Sequence, residues 1–329
     1  MATFFARFVA LTAVLLAVSG CNGWPMMSEH DVTSTKAAPR HLPDGWHSEV
    51  LPGSSPPRQL VGLRREATVE PALLQLVVVP GSGCTGFAPF AARYFQGLTR
   101  ARVLVLHKPY ADIFAGSAPA ECSPDFIQYD SLSAWRDDAV AALQYVAGRD
   151  NHQLPTIVLG ISEGAEIVPH LIHAVENPIG MLFVSAAGLD PSVVGRMQAS
   201  RLGQTTAWNR VEEQAASGLP DGMLVEGRTL RYWRDMFAWR VSTPRAAAKM
   251  PLLRVWGGND ALVPQSAYAV LSATLAGQIE PLCDWRMDAA DHGLQTGSVD
   301  GMQLIWPRLV QWAKAGRLDC PGAAKGIDR

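Results

Sequence analysis

Gly160-Ile161-Ser162-Glu163-Gly164 joins two stretches of different hydrophobic period. Before it, Thr156 to Leu159 is apolar without alternation, the pattern of a strand buried on both faces. After it, Glu163 to Val175 places Ile167, Val168, Leu171, Ile172 and Val175 at helical spacing. Pro169 falls inside that helix and is expected to kink it or remove one of its hydrogen bonds. A chain that passes from strand to helix within five residues must turn sharply, and the flanking glycines remove side chains that would clash there. The turn lifts the Ser162 hydroxyl above the sheet edge, at the start of a helix whose amides favour negative charge.

The same two periods alternate along the chain. Leu73 to Val79, Arg102 to Leu106, Met181 to Val184, Leu252 to Trp256 and Cys283 to Met287 are short runs like Thr156 to Leu159. Helical patterns cover Asp137 to Val146, with Val140, Leu143 and Val146 on one face, and Val299 to Trp312, with Met302, Ile305, Leu309 and Trp312. Such alternation predicts an α/β fold with a mainly parallel sheet covered on both faces. Glu49–Leu51 and Gln59–Leu63 are weaker runs, expected as antiparallel strands at one edge, for about eight strands in all. Residues 190–248 break the rhythm with amphipathic pieces and no good strand. They are expected to form a helical cap inserted over the C-terminal edge of the sheet. Trp233, Met236, Phe237 and Arg240 share helical spacing there and are read as cap core rather than as substrate contacts.

A serine hydroxyl attacks poorly at neutral pH unless a base lies within hydrogen-bond reach and a further group orients that base. Asp291-His292-Gly293 follows the last strand, and Gly257-Gly258-Asn259-Asp260 follows the strand before it. Both loops open at the edge where open α/β sheets place their sites. His170 and His173 lie on a helical face and are read as structural or solvated.

From about residue 48 to residue 315 the chain resembles the α/β-hydrolase superfamily. The resemblance rests on the Gly160-to-Gly164 motif, the Gly-Gly-Asn-Asp stretch running on to Val263-Pro264, and Asp291-His292-Gly293, in that order. It implies Ser162 as nucleophile, His292 as base and Asp260 as the acid, with Asp190 as an alternative acid because some members use that strand end. It also implies an oxyanion hole from the Glu163 amide and from the turn Pro80-Gly81-Ser82-Gly83-Cys84, where the Ser82 amide or the Gly83 amide would donate. The family often has His-Gly where this chain has Pro80-Gly81, which removes a side chain and leaves the backbone donor. Serine at the elbow excludes relatives that attack with Asp or Cys. The implied reaction is acyl transfer from a small-molecule acyl substrate to water, foremost a carboxylic ester, with neither metal nor organic cofactor. A thioesterase, a peptidase or an acyltransferase would use the same triad, and a non-catalytic envelope binding module is the alternative outside enzymes.

Residues 1–20 carry one charge, Arg7, before an almost wholly apolar run from Phe8 to Val18, too short for a confident membrane span and suited to an export signal. Leu16-Ala17-Val18-Ser19-Gly20-Cys21 resembles the lipobox of bacterial lipoproteins, which implies lipidation at Cys21; a plain secretory signal is the alternative. By the same resemblance Asn22 directs the protein to the outer membrane, facing the periplasm. Residues 21–45 read as a tether, and 46–320 as the hydrolase domain. Cys84, Cys122, Cys283 and Cys320 remain, an even set that suggests two disulfides in an exported chain, with three possible pairings. The fold that the family resemblance implies favours Cys84–Cys122 and Cys283–Cys320. Charges are balanced, 28 basic against 30 acidic, and no basic patch suggests a nucleic-acid partner. Oligomeric state is not legible in the sequence.

Overall fold

A computed structural model describes residues 40–116, 121–150, 153–275 and 282–320. The lipobox, Cys21 and the tether as far as residue 39 lie outside the described residues. The main sheet has eight strands: β1 (Trp46–Pro52), β2 (Gln59–Arg65), β3 (Leu74–Val79), β4 (Ala101–Leu106), β5 (Thr156–Ile161), β6 (Pro178–Val184), β7 (Leu252–Gly257) and β8 (Leu282–Met287). Their spatial order is β1-β2-β4-β3-β5-β6-β7-β8. β1 and β2 pair antiparallel, β2 joins β4 antiparallel, and every later pairing is parallel.

The helices follow in chain order: α1 (Ala91–Tyr94), α2 (Pro124–Tyr129), α3 (Leu132–Arg149), α4 (Gly164–Leu171), α5 (Pro191–Arg201), α6 (Thr205–Ala216), α7 (Leu230–Ala238), α8 (Ser242–Ala248), α9 (Gln265–Leu275) and α10 (Met302–Ala315). Alternation along the strands sends side chains to two cores. Val77, Val79, Val158 and Phe183 pack with Trp135 and Leu143 of α3 and Ile167 and Leu171 of α4. Leu76, Val78, Leu159 and Val184 face the other way, onto Phe95 and onto Ile305, Trp306 and Leu309 of α10. Burial on both sides explains why the central strands are apolar at nearly every position.

Three helices differ from the sequence pattern. α3 begins earlier, because the Ser131 side chain accepts from the Ala134 amide at 3.1 Å and caps the helix there. α4 ends at Leu171 and passes into a 3-10 turn over Ile172–Ala174, two residues after Pro169, which has no amide hydrogen to donate one turn back. α10 starts only at Met302, since Val299–Asp300 pairs with Gln295–Thr296 in a small hairpin.

Between β6 and β7 the chain forms the cap: α5, α6, a two-residue hairpin of Leu224–Val225 with Arg228–Thr229, then α7 and α8. Trp208 and Trp233 meet edge to face at 6.3 Å inside it. Asp235 of α7 fastens the cap to the main body, accepting from the Ser133 amide at 2.7 Å and the Ser133 hydroxyl at 2.6 Å.

Disulfides join Cys84 to Cys122 and Cys283 to Cys320. The second ties the start of β8 to the segment after α10 across a separation of 37 residues. Cys320→Ala is expected to lower the free energy of urea unfolding by about 3–4 kcal/mol, through the chain entropy returned to the unfolded state. Equal unfolding midpoints for the variant and the parent would contradict a stabilising bridge.

Candidate active site

Ser162 sits at the end of β5 with a φ of 52°, the left-handed region that a residue with a β-carbon adopts only under constraint. The constraint is close packing. A β-carbon on Gly160 would stand 2.3 Å from the Ala165 α-carbon, and one on Gly164 would stand 2.2 Å from the Pro80 carbonyl oxygen. The turn is held by the Ser162 amide, which donates to the Val184 carbonyl at 2.8 Å, and by the Ala165 amide, which donates to the Ser162 carbonyl at 3.0 Å. Ser162 opens onto a cavity of about 100 Å³ beneath the cap, with Ser82 and Glu163 in the same wall. Gly83 has a φ of +80°, so the turn after β3 uses a conformation suited to glycine.

The loops after β7 and β8 are bound to each other, and glycine permits that contact. A β-carbon on Gly257 would stand 2.2 Å from the Asp291 carbonyl oxygen, and one on Gly258 would stand 2.3 Å from that of Asp288. The Asn259 amide donates to the Ala290 carbonyl at 2.8 Å. The outcome is a buried pair in which His292 Nδ1 lies 2.9 Å from Asp260 Oδ2 and 3.0 Å from Oδ1. Asp260 Oδ1 also accepts from the amides of Leu262 and Val263 at 2.8 and 2.9 Å, and Oδ2 from the Tyr268 hydroxyl at 2.9 Å. Tyr268 stacks on Trp256 with ring centres 4.2 Å apart, which fixes the phenol. The last residue of β6 and the one after it link the two halves of the site. Val184 holds the Ser162 amide, and the Ser185 hydroxyl donates to the His292 carbonyl at 2.5 Å.

The alternative acid lies elsewhere. Asp190 precedes α5, and its Oδ1 accepts from the amides of Val241 and Ser242 at 2.7 and 3.1 Å, pinning the start of α8. His170 Nε2 donates to the Arg240 carbonyl at 3.1 Å, and its ring packs on Trp239.

A charged cluster that no sequence pattern announces lies behind the elbow. Glu163 accepts from Lys108 Nζ and from the Tyr232 hydroxyl, each at 2.5 Å. Lys108 also donates to Asp130 at 3.1 Å, and Arg228 of the cap hairpin pairs with the same carboxylate. Burial pushes the Glu163 carboxyl up, but Lys108 and Arg228 outweigh it and hold it below the usual carboxylate range. These residues come from four separate segments, and no spacing in the sequence connects them. The aromatic stripe on α7 belongs to the cap core, with Trp233 and Met236 buried and Phe237 packed against them, and part of it also borders the cavity. Trp233 and Met236 face the cavity above Ser162, while Phe237 packs against Trp208.

The strand order, the sharp serine turn after β5 and the cap between β6 and β7 are those of an α/β-hydrolase fold. No protein-family model and no curated protein sequence matches the chain. Solved structures do. A hypothetical protein from Pseudomonas aeruginosa aligns over 84% of this chain and 95% of its own, with 12% identity and a TM-score of 0.56. Est1E from Butyrivibrio proteoclasticus, with ferulic acid bound, aligns over 82% and 98%, with 13% identity and a TM-score of 0.56. The esterase domain of a Rhodothermus marinus protein gives 82%, 98%, 14% and 0.53. Identities this low establish a shared fold.

Burial raises the Asp260 carboxyl, but the hydrogen bond and charge of His292 and the Val263 and Leu262 amides more than offset it, so the carboxyl lies below its ordinary value. Folding therefore favours the ionised form. That stabilisation is complete above the unfolded value of about 3.9 and is lost as pH falls through the lower folded value. Asp260→Asn is expected to lose less stability than the parent on acidification from about pH 5 to about pH 2. Urea unfolding curves across that interval check it, and equal losses would contradict it.

Proposed function

We propose that this chain is a serine hydrolase that cleaves a carboxylic ester through Ser162, His292 and Asp260. The observation that carries the reading is the buried His292–Asp260 pair, anchored beside the strained serine by Val184 and Ser185. An ionised Asp260 facing Nδ1 keeps the proton on that nitrogen, leaving Nε2 with a lone pair to act as base. In the proposed cycle Ser162 Oγ attacks the ester carbonyl and His292 Nε2 takes its proton. The oxyanion is held by the Glu163 amide and by Ser82 or Gly83. His292 returns the proton to the departing alcohol. Water then repeats the sequence on the acyl-enzyme, and the second collapse frees Ser162. Asp260 stabilises the imidazolium in both halves without taking the proton.

The setting of Glu163 supports the oxyanion role. Its side chain is clamped by Lys108 and Tyr232, so its amide is fixed before substrate arrives. The helix it opens, α4, adds its N-terminal dipole to the same point.

We also propose that the protein is exported and anchored in the cell envelope by lipid on Cys21, at the periplasmic face of the outer membrane. The short apolar leader that ends in small residues before Cys21 supports this, and so do two disulfides, which suit an oxidising compartment. Among the described residues no helix is long and apolar enough to cross a membrane.

Ser162→Ala is expected to lower kcat/KM for nitrophenyl esters by roughly a thousandfold or more while leaving the melting temperature at or above that of the parent. Retained hydrolysis in a folded variant would contradict the assignment.

A further inference from the structure

The wall of the cavity above Ser162 contains a carboxyl that the proposed reaction does not use. Glu166 lies on α4, one turn beyond the elbow, and lines this cavity. Its Oε2 is shielded from solvent and receives no hydrogen bond. Of the other polar side chains of the wall, four are engaged with one another or with neighbouring residues, while the Trp208 indole N–H, like Glu166 Oε2, is buried without a hydrogen-bond partner. Glu163 and Tyr232 bond each other, Ser185 donates to the His292 carbonyl, and Gln198 joins the Ala261 carbonyl to Arg201.

The charges nearby explain why Glu166 is left over. Lys108 and Arg228 face Glu163 and Asp130, two cations against two carboxylates. No lysine or arginine lines the cavity itself. Burial first, and then the charge on Glu163, push the Glu166 carboxyl well above the usual carboxylate range. That direction favours the uncharged acid, a form that can both donate through its O–H and accept through its carbonyl oxygen. The rest of the wall includes Trp208, Trp233, Met236 and Val194, among which a leucine would sit more easily than a carboxyl with an unpaired buried oxygen. An unpaired buried oxygen facing a cavity is a place where a ligand's polar group can bind.

We propose that Glu166 is a specificity-determining residue that binds a hydroxyl group on the acyl part of the ester, so that the cavity selects hydroxyacyl esters. A hydroxyl suits the neutral acid because each group can both donate and accept. A carboxylate on the substrate would find no counter-ion in this wall, and an ammonium would require Glu166 to ionise where burial opposes it. The acyl part remains on the serine through both half-reactions, so a contact to it acts in both. The proposal rests on the hydrolase reading of Ser162.

The test uses nitrophenyl hexanoate, its relatives bearing a hydroxyl at each position from the third carbon outward, and the terminal amino analogue. For the parent, one hydroxy isomer is expected to exceed plain hexanoate in kcat/KM by about tenfold, the scale of one neutral hydrogen bond. Glu166→Leu should bring that ratio to about one, and Glu166→Gln, which still donates and accepts, should restore most of it. The melting temperature of Glu166→Leu should not fall, since the buried Oε2 has no hydrogen bond to lose. Calorimetric binding of the same esters to Ser162→Ala reads the preference without catalysis. If the parent hydrolyses nothing yet Ser162→Ala still binds the hydroxy isomer more tightly, and does so only with Glu166 present, the hydrolase reading fails and the hydroxyl site stands. A hydroxyl preference that survives in Glu166→Leu, a preference for the amino ester, or a marked loss of melting temperature in Glu166→Leu would overturn the proposal.

Discussion

The close approach of the turn after β3 to the first turn of α4 is the constraint on which the site depends. Gly164 lets the Pro80 carbonyl come nearer than any β-carbon would permit, and Gly160 does the same for Ala165 at the other end of the elbow. With both flanks pressed in, Ser162 is left with a φ of 52°. The fold supplies the opposing force. β5 lies in the middle of the sheet with β3 and β6 hydrogen-bonded on either side, so the strand end cannot relax without breaking a ladder.

A second close approach, between the loops after β7 and β8, creates the His292–Asp260 pair. Here too glycine removes the obstacle, and Tyr268 and two amides then occupy the remaining acceptor sites of the carboxylate. The cap is tied to this rigid edge through buried charges rather than through apolar packing alone. Tyr232 and Arg228 reach down from the cap to Glu163 and Asp130, so the roof of the cavity and the residue after the serine belong to one network. Removing one member of such a network strands the others without water, which makes the cap's position costly to change.

Much of this was legible in the sequence, for physical reasons that can be named. Buried parallel strands are apolar on both faces, so Leu73 to Val79, Thr156 to Leu159 and Leu252 to Trp256 stand out. The glycines around Ser162 and before Asp260 stand out because close backbone approach requires them. Lys108, Asp130, Arg228 and Tyr232 did not stand out, because single charges scattered over distant segments look like solvated surface until the fold brings them together. The apolar face of α7 announces Trp233 and Met236 as cap core, which they are, but not that they also border the cavity, because core packing and cavity lining draw on the same helix face. Tyr268 carried no signal beyond its place one turn into α9, where the fold aims it at Asp260.

The central claim is that Ser162 is made nucleophilic by its place in this edge and by His292. Its most direct test is reaction of the folded protein with a fluorophosphonate probe, followed by peptide mass mapping. The account predicts a single adduct on the peptide containing Ser162, formed far more slowly in His292→Ala. An adduct on another residue, or equal labelling without the imidazole, would contradict it.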